Sequence, residues 1–267
     1  MPELNQNNRT IYYETHGQGP ALILIRGLGS SAVHWYAQVP ALSEHFQVII
    51  FDNRGIGRSS NDDEPFTIND LAADTVRVLD ALRIERAHVL GISMGGMIAQ
   101  EMAIEYPHRV NRLILVATHS GGKHQVKASD DVIEIIQCLT EDDSIGVRSM
   151  AATVFFGRQT LSDKVSILQA FAAASAQYPA GPKIIKRQML AVSQHNAYDR
   201  LHQIQASTLV ISGDDDILIP KENATIISEQ IPTAKLLIVP GGGHQILIEQ
   251  PDICNQEIIA FLQQNGR

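Results

Sequence analysis

The chain has 267 residues, 44% of them hydrophobic, enough for one large α/β domain with an insertion or for two small domains. Its 21 Lys and Arg against 29 Asp and Glu give a net charge of −8 with no basic run, which argues against nucleic acid as a partner. Two cysteines, Cys138 and Cys254, cannot make a disulfide framework, and no Cys/His pair has zinc spacing. The start, MPELNQNNRT, has neither a basic n-region nor an apolar h-region, and the longest charge-free run, Val165 to Pro182, is too polar to insert in a bilayer. The expectation is a cytoplasmic protein acting on a small molecule. Composition gives no reading of oligomeric state.

Short β-rich runs alternate with helical patterns, the signature of a mostly parallel sheet with crossover helices. Strands are predicted at Thr10–Thr15, Ala21–Ile25, Gln47–Phe51, His88–Gly91, Leu113–Ala117, Thr208–Ser212 and Lys235–Val239. Runs such as ALILI and LILVA are apolar throughout, as expected where both faces of a sheet are covered. Helices are predicted at Ile68–Leu82, Met94–Tyr106 and Pro251–Leu262. The rhythm breaks after His119, where Asp130–Thr140, Ser144–Phe155, Ser162–Gln177 and Pro182–Gln194 read as successive helices. The predicted organisation is an α/β core of residues 1–118 and 206–267 with an all-helical cap of residues 119–205 over the sheet's C-terminal edge, where open α/β sheets bind ligands.

Gly27-Leu28-Gly29-Ser30-Ser31-Ala32 follows a strand, and Asp52 stands 20 residues beyond Ala32, which fits a dinucleotide fingerprint on paper. That chemistry needs a helix starting at the second glycine, and Pro40 would fall inside it at a cost of about 3 kcal/mol. No cofactor is therefore expected.

Gly91-Ile92-Ser93-Met94-Gly95 places G-x-S-x-G between an apolar strand and a helix. A sharp turn there would expose the Ser93 hydroxyl and require small residues two positions to either side. A serine nucleophile needs a base, and the base needs an orienting acid. His244 follows Gly241-Gly242-Gly243 after the last strand and is the candidate base; the other nine histidines read as surface or packing residues. Asp214, Asp215 and Asp216 follow the preceding strand as candidate acids.

With these motifs in the order Ser, Asp, His, the chain resembles the α/β-hydrolases of the single-domain esterase, lactonase and C–C-bond hydrolase group, over nearly its whole length. In that group the acid is the last residue of G-x-x-D before x-x-[VIT]-P, which falls on Gly213, Asp216, Ile219 and Pro220 and implies Asp216, with Asp215 second. The resemblance implies a structural role for Asp52-Asn53-Arg54-Gly55-Ile56-Gly57-Arg58-Ser59, and an oxyanion hole from the backbone N–H groups of Leu28 and Met94. The group usually carries His where this chain has Arg26. Arg26 is expected to hold the loop by bonding backbone carbonyls; the sharper alternative is that its charge recognises an acidic substrate.

The implied activity is hydrolysis of an apolar carboxylic ester or lactone through an acyl-enzyme, without metal. Phe155, Phe156, Phe171 and Met189 are candidate substrate-binding residues in the cap, and Arg148, Arg158, Lys183, Lys186 and Arg187 are cations there that would suit an acidic substrate such as an enol-lactone. A receptor of slow turnover on the same fold is the alternative from another class, and haloperoxidase or perhydrolase chemistry would use the same three residues.

Overall fold

The computed structural model describes residues 3–6, 9–60, 63–142 and 144–264; residues 1–2, 7–8, 61–62 and 265–267 of the predicted core and residue 143 of the predicted cap lie outside them. Eight strands, β1 (Glu3–Gln6), β2 (Arg9–His16), β3 (Ala21–Ile25), β4 (Gln47–Phe51), β5 (Ala87–Ile92), β6 (Val110–Val116), β7 (Ser207–Gly213) and β8 (Ala234–Val239), form one sheet in the order β1-β2-β4-β3-β5-β6-β7-β8. The β1–β2 and β2–β4 pairs are antiparallel and the other pairs parallel. Seven strands overlie the predicted ones. β1 was not predicted, because ELNQ has no apolar alternation; it forms by antiparallel pairing with β2 at the sheet edge.

The continuous apolar strands follow from burial on both faces. In β3, Ile23 and Ile25 pack with the helices Ile68–Ala81 and Met94–Glu105, while Leu22 and Leu24 pack with Trp35 and the C-terminal helix Pro251–Gln263. The first of these helices starts where Thr67 and Asp70 form a reciprocal capping box, a contribution of about 1 kcal/mol.

Register brings the C-terminal strand ends to one edge. Ile25 lies beside Gly91, Ile92 beside Val116, Val116 beside Ile211 and Gly213 beside Val239. From that edge emerge the segments 26–30, 93–96, 117–121, 214–219 and 240–245. All the sequence-derived candidates of the core sit in them.

Between β6 and β7 the described residues hold only helices, turns and one isolated bridge, Gly121–Asn196. The single helix predicted over Ser162–Gln177 is two, Arg158–Asp163 and Val165–Gln177, because Lys164 leaves the helical region with φ −115° and ψ 55°. This segment is fastened to the core at several points. Gly29 N donates to Gln188 Oε1 at 2.8 Å, Gly157 N to Glu249 Oε2 at 2.8 Å and Gln245 N to Phe155 O at 2.8 Å, and Arg187 pairs with Asp63 at 3.2 Å. Among the described residues no helix is long and apolar enough to cross a membrane.

Candidate active site

Ser93 stands between β5 and the helix Met94–Glu105 with φ 58° and ψ −125°, a conformation that an L-residue adopts only under constraint. The constraint is packing of the turn against its neighbours. A Cβ on Gly91 would strike the Gly95 carbonyl, and one on Gly95 would strike the Ile25 carbonyl, so no side chain fits at either place. Thr118 Oγ1 donates to Ser93 O at 2.8 Å, and Ser93 N donates to Val116 O at 2.9 Å, which ties the turn to β6.

His244 is buried at 2% exposure, and its Nδ1 lies 2.9 Å from Asp216 Oδ2. The other oxygen, Asp216 Oδ1, accepts from Leu218 N at 3.0 Å and Ile219 N at 2.8 Å. The carboxylate is thus held by its own loop and can only accept, so Nδ1 of the imidazole carries the proton and Nε2 is free as a base. Asp215, the second candidate, is engaged elsewhere, pairing with Arg158 at 2.9 Å. Glu249, in the turn that follows His244, accepts from Gly243 N at 3.0 Å as well as from Gly157 N and so fixes the histidine loop; its burial raises its pKa.

Ser93 and His244 line one cavity of about 560 Å³, together with Arg26, Leu28, Met94, Phe155, Phe171 and Met189. No hydrogen bond joins Ser93 Oγ to the imidazole, a contact that in such pairs often tightens only around a substrate. Leu28 sits in a turn closed by Ser30 N to Gly27 O at 3.2 Å, with Gly29 at φ 66° in the position where a type II turn needs a positive angle. A Cβ on Gly27 would come within 2.9 Å of Ser93 Cβ, so the loop passes directly over the serine.

Three expectations need correction. Phe156 does not line the cavity; it is buried behind Phe171, edge-on at 5.2 Å between ring centroids. Arg26 does not bond backbone carbonyls: Nη2 donates to Gln245 Oε1 at 3.0 Å, and Nε and Nη1 are buried without a partner, the guanidinium lying 4.8 Å over the Trp35 ring. A longer, forked side chain at this place reaches past the loop it was expected to brace. Nor are all nine other histidines surface or packing residues, since His119 and His195 face the cavity.

His119 is buried, and burial, with His195 and His244 nearby, lowers its pKa to about 3, so it is neutral. Its Nδ1 accepts from Gly121 N at 3.0 Å, which leaves the proton on Nε2. His195 Nδ1 lies 3.3 Å from Glu101 Oε1, and Arg200 holds the same carboxylate at 2.6 Å. Burial of Glu101 would raise its pKa, and the approach of His195 together with the Arg200 hydrogen bonds to both carboxylate oxygens outweighs it, leaving the pKa lowered. Gln188 also escaped the sequence reading, although a polar residue within the apolar stripe Ile184, Ile185 and Ala191 of one helix is a visible anomaly.

The glycine-rich segment after β3 makes no nucleotide-binding helix. Ala32–Trp35 is one 3-10 turn and Val39–Leu42 a four-residue helix. Asp52, the acid of the paper fingerprint, accepts from Ala32 N at 2.6 Å and pairs with Arg58 at 2.9 Å, a structural use.

Comparison with known proteins identifies the family. The family described as alpha/beta hydrolase fold matches residues 20–145, and that described as TAP-like protein matches residues 182–267. The proposed carbamate hydrolase RutD of Azorhizobium caulinodans is 30% identical, covering 98% of both chains. The proposed non-heme bromoperoxidase BpoC of Mycobacterium tuberculosis is 30% identical over 93% of this chain and 96% of its own. Among solved structures, Est816, an N-acyl homoserine lactone degrading enzyme, superposes with a TM-score of 0.84 at 28% identity, covering 97% of this chain and all of its own. The chain belongs to the α/β-hydrolase family and is a hydrolase.

Proposed function

We propose that this hydrolase cleaves small carboxylic esters or lactones through a Ser93–His244–Asp216 triad and an acyl-enzyme. The observation that carries the reading is the strained Ser93 turn opening into the same cavity as an imidazole whose tautomer Asp216 fixes. Ser93 Oγ attacks the carbonyl carbon as His244 Nε2 takes its proton. The tetrahedral oxyanion is held by the N–H groups of Leu28 and Met94, each worth about 3 kcal/mol in the transition state. His244 then gives its proton to the leaving alkoxide, and water repeats the sequence to release the acid. Residues 119–205 act as the cap, with Phe155, Phe171 and Met189 contributing an apolar wall.

The test is a panel of short-chain esters and γ- and δ-lactones, assayed with the parent protein, Ser93→Ala and Asp216→Asn. The reading expects kcat to fall about 10⁶-fold in the first variant and about 10⁴-fold in the second. A loss under tenfold in Ser93→Ala would sink the triad. A second reading, carbamate hydrolysis, is favoured by the full-length likeness to RutD. It uses the same carbonyl chemistry with a nitrogen substituent on the acyl carbon, so a small carbamate belongs on the panel.

A further inference from the structure

The charge around the cavity is lopsided. The protein as a whole has a net charge of −8, with 29 acidic residues. Among the described residues none of those acids lines the cavity, while Arg26 and Lys127 both do. Two carboxylates behind the lining are already matched, Asp216 by His244 and Glu101 by Arg200.

The two cations are not matched. Arg26, 1% exposed, has no carboxylate partner, and its one hydrogen bond goes to the neutral Gln245 amide. Burial lowers its pKa only to about 10, so it stays charged at neutral pH. Lys127 is exposed at the mouth, on the segment leading to the helix Asp130–Cys138, and has no ion-pair partner among the described residues. Asp130 and Asp131 follow in the first turn of that helix, outside the lining. The position of Lys127 is fixed from one residue away, because Asn223 clamps Val126 from both sides, accepting from its N–H at 3.0 Å and donating to its carbonyl at 2.8 Å. By contrast, two of the cap cations named from sequence are spent on the surface, Arg158 on Asp215 and Arg187 on Asp63, and none of the five lines the cavity.

We propose that the preferred substrate of this site carries a carboxylate besides its scissile ester or lactone, that Lys127 meets this carboxylate at the mouth, and that the uncompensated charge of Arg26 favours it from the floor. This rests on the triad reading above and narrows it. An apolar cavity with an exposed cation at its rim binds such a molecule with its chain inside and its charge half in water, where the ion pair gains in selectivity more than in raw affinity.

Two matched substrate pairs test it. One is the 4-nitrophenyl monoester of adipate against 4-nitrophenyl hexanoate, with the charge on the acyl side; the other is 4-carboxyphenyl butanoate against phenyl butanoate, with the charge on the alcohol side. The readout is the anionic-to-neutral ratio of kcat/KM in the parent protein, Lys127→Arg, Lys127→Gln and Lys127→Glu. In at least one pair the ratio should hold in Lys127→Arg, drop about tenfold in Lys127→Gln and drop further in Lys127→Glu. Raising salt from about 0.05 M to about 0.5 M should narrow it. A ratio that Lys127→Gln and Lys127→Glu leave unchanged in both pairs overturns the proposal. Failure of the triad reading looks different: no ester of either pair is turned over, and Ser93 is not labelled by a fluorophosphonate.

Discussion

Acid should weaken this fold well before its carboxylates titrate. His34 and His119 are buried with pKa values lowered to about 3, and His88 to about 4. Burial is the main cause in each, reinforced by Arg26 near His34, by His195 and His244 near His119, and by Arg112 and Arg86 near His88. In the unfolded chain each would titrate near 6.5. Stability from these groups is therefore complete above that value and drains as pH falls, because the unfolded chain takes up three protons that the folded one refuses. At about 1.4 kcal/mol per proton per pH unit, each histidine removes about 2 kcal/mol between pH 7.5 and 5.0, about 6 kcal/mol for the three. That is comparable with the whole stability of an ordinary domain. Glu249, whose pKa is raised, works in the opposite sense and offsets at most one of the three protons. Glu14, Asp70 and Glu101 have lowered values, and their contributions are lost only below their unfolded values of about 4, outside this window. General charge repulsion works the other way over most of the window, since the net charge of −8 at neutral pH shrinks towards zero as pH falls to the sequence pI of about 5.6. The single tryptophan, Trp35, is fully buried and reports unfolding by fluorescence in urea at a series of pH values. His88→Gln, remote from the cavity, should cut the pH slope by about one third. An unfolding midpoint that does not move between pH 7.5 and 5.0, or a slope unaltered in His88→Gln, would refute the assignment of buried neutral histidines.

Other outcomes follow from single contacts. Gly27→Ala puts a methyl group against Ser93 Cβ and should lower kcat by about two orders of magnitude while the urea midpoint moves little, since the strain falls on the turn and not on the core. Gln188→Ala releases Gly29 N and loosens the turn that carries Leu28, so kcat should fall about tenfold with KM changed less, read in steady-state kinetics. Glu249→Ala strips Gly157 N and Gly243 N of their acceptor and should cost about 2 kcal/mol in urea unfolding as well as activity; equal stability in the variant would show that the carboxylate does not hold the His244 loop.

The parts of the molecule that sequence exposed are those where one local rule suffices. ALILI and LILVA are strands because both sheet faces need apolar cover, and the G-x-S-x-G segment is a turn because nothing larger than glycine fits beside Gly95 O and Ile25 O. In sequence, Asp216 was distinguished from Asp215 only through the family pattern; in the structure the two differ in their contacts, Leu218 N and Ile219 N holding the Asp216 carboxylate while Arg158 pairs with Asp215. What stayed hidden depends on contacts distant along the chain. Arg26 and Gln245 are 219 positions apart, Gly29 and Gln188 are 159, and Glu101 meets His195 across 94. No periodicity marks such pairs. Lys127 illustrates the same limit, for its place at the mouth is set by Asn223, which belongs to a helix, Glu222–Gln230, that the sequence reading did not identify.

The central claim is that Ser93 is an activated nucleophile, and intact-mass measurement after exposure to a fluorophosphonate tests it most directly. The account predicts one covalent adduct on the parent protein and none on Ser93→Ala. A folded parent protein that stays unmodified, or an adduct that persists in Ser93→Ala, would contradict it.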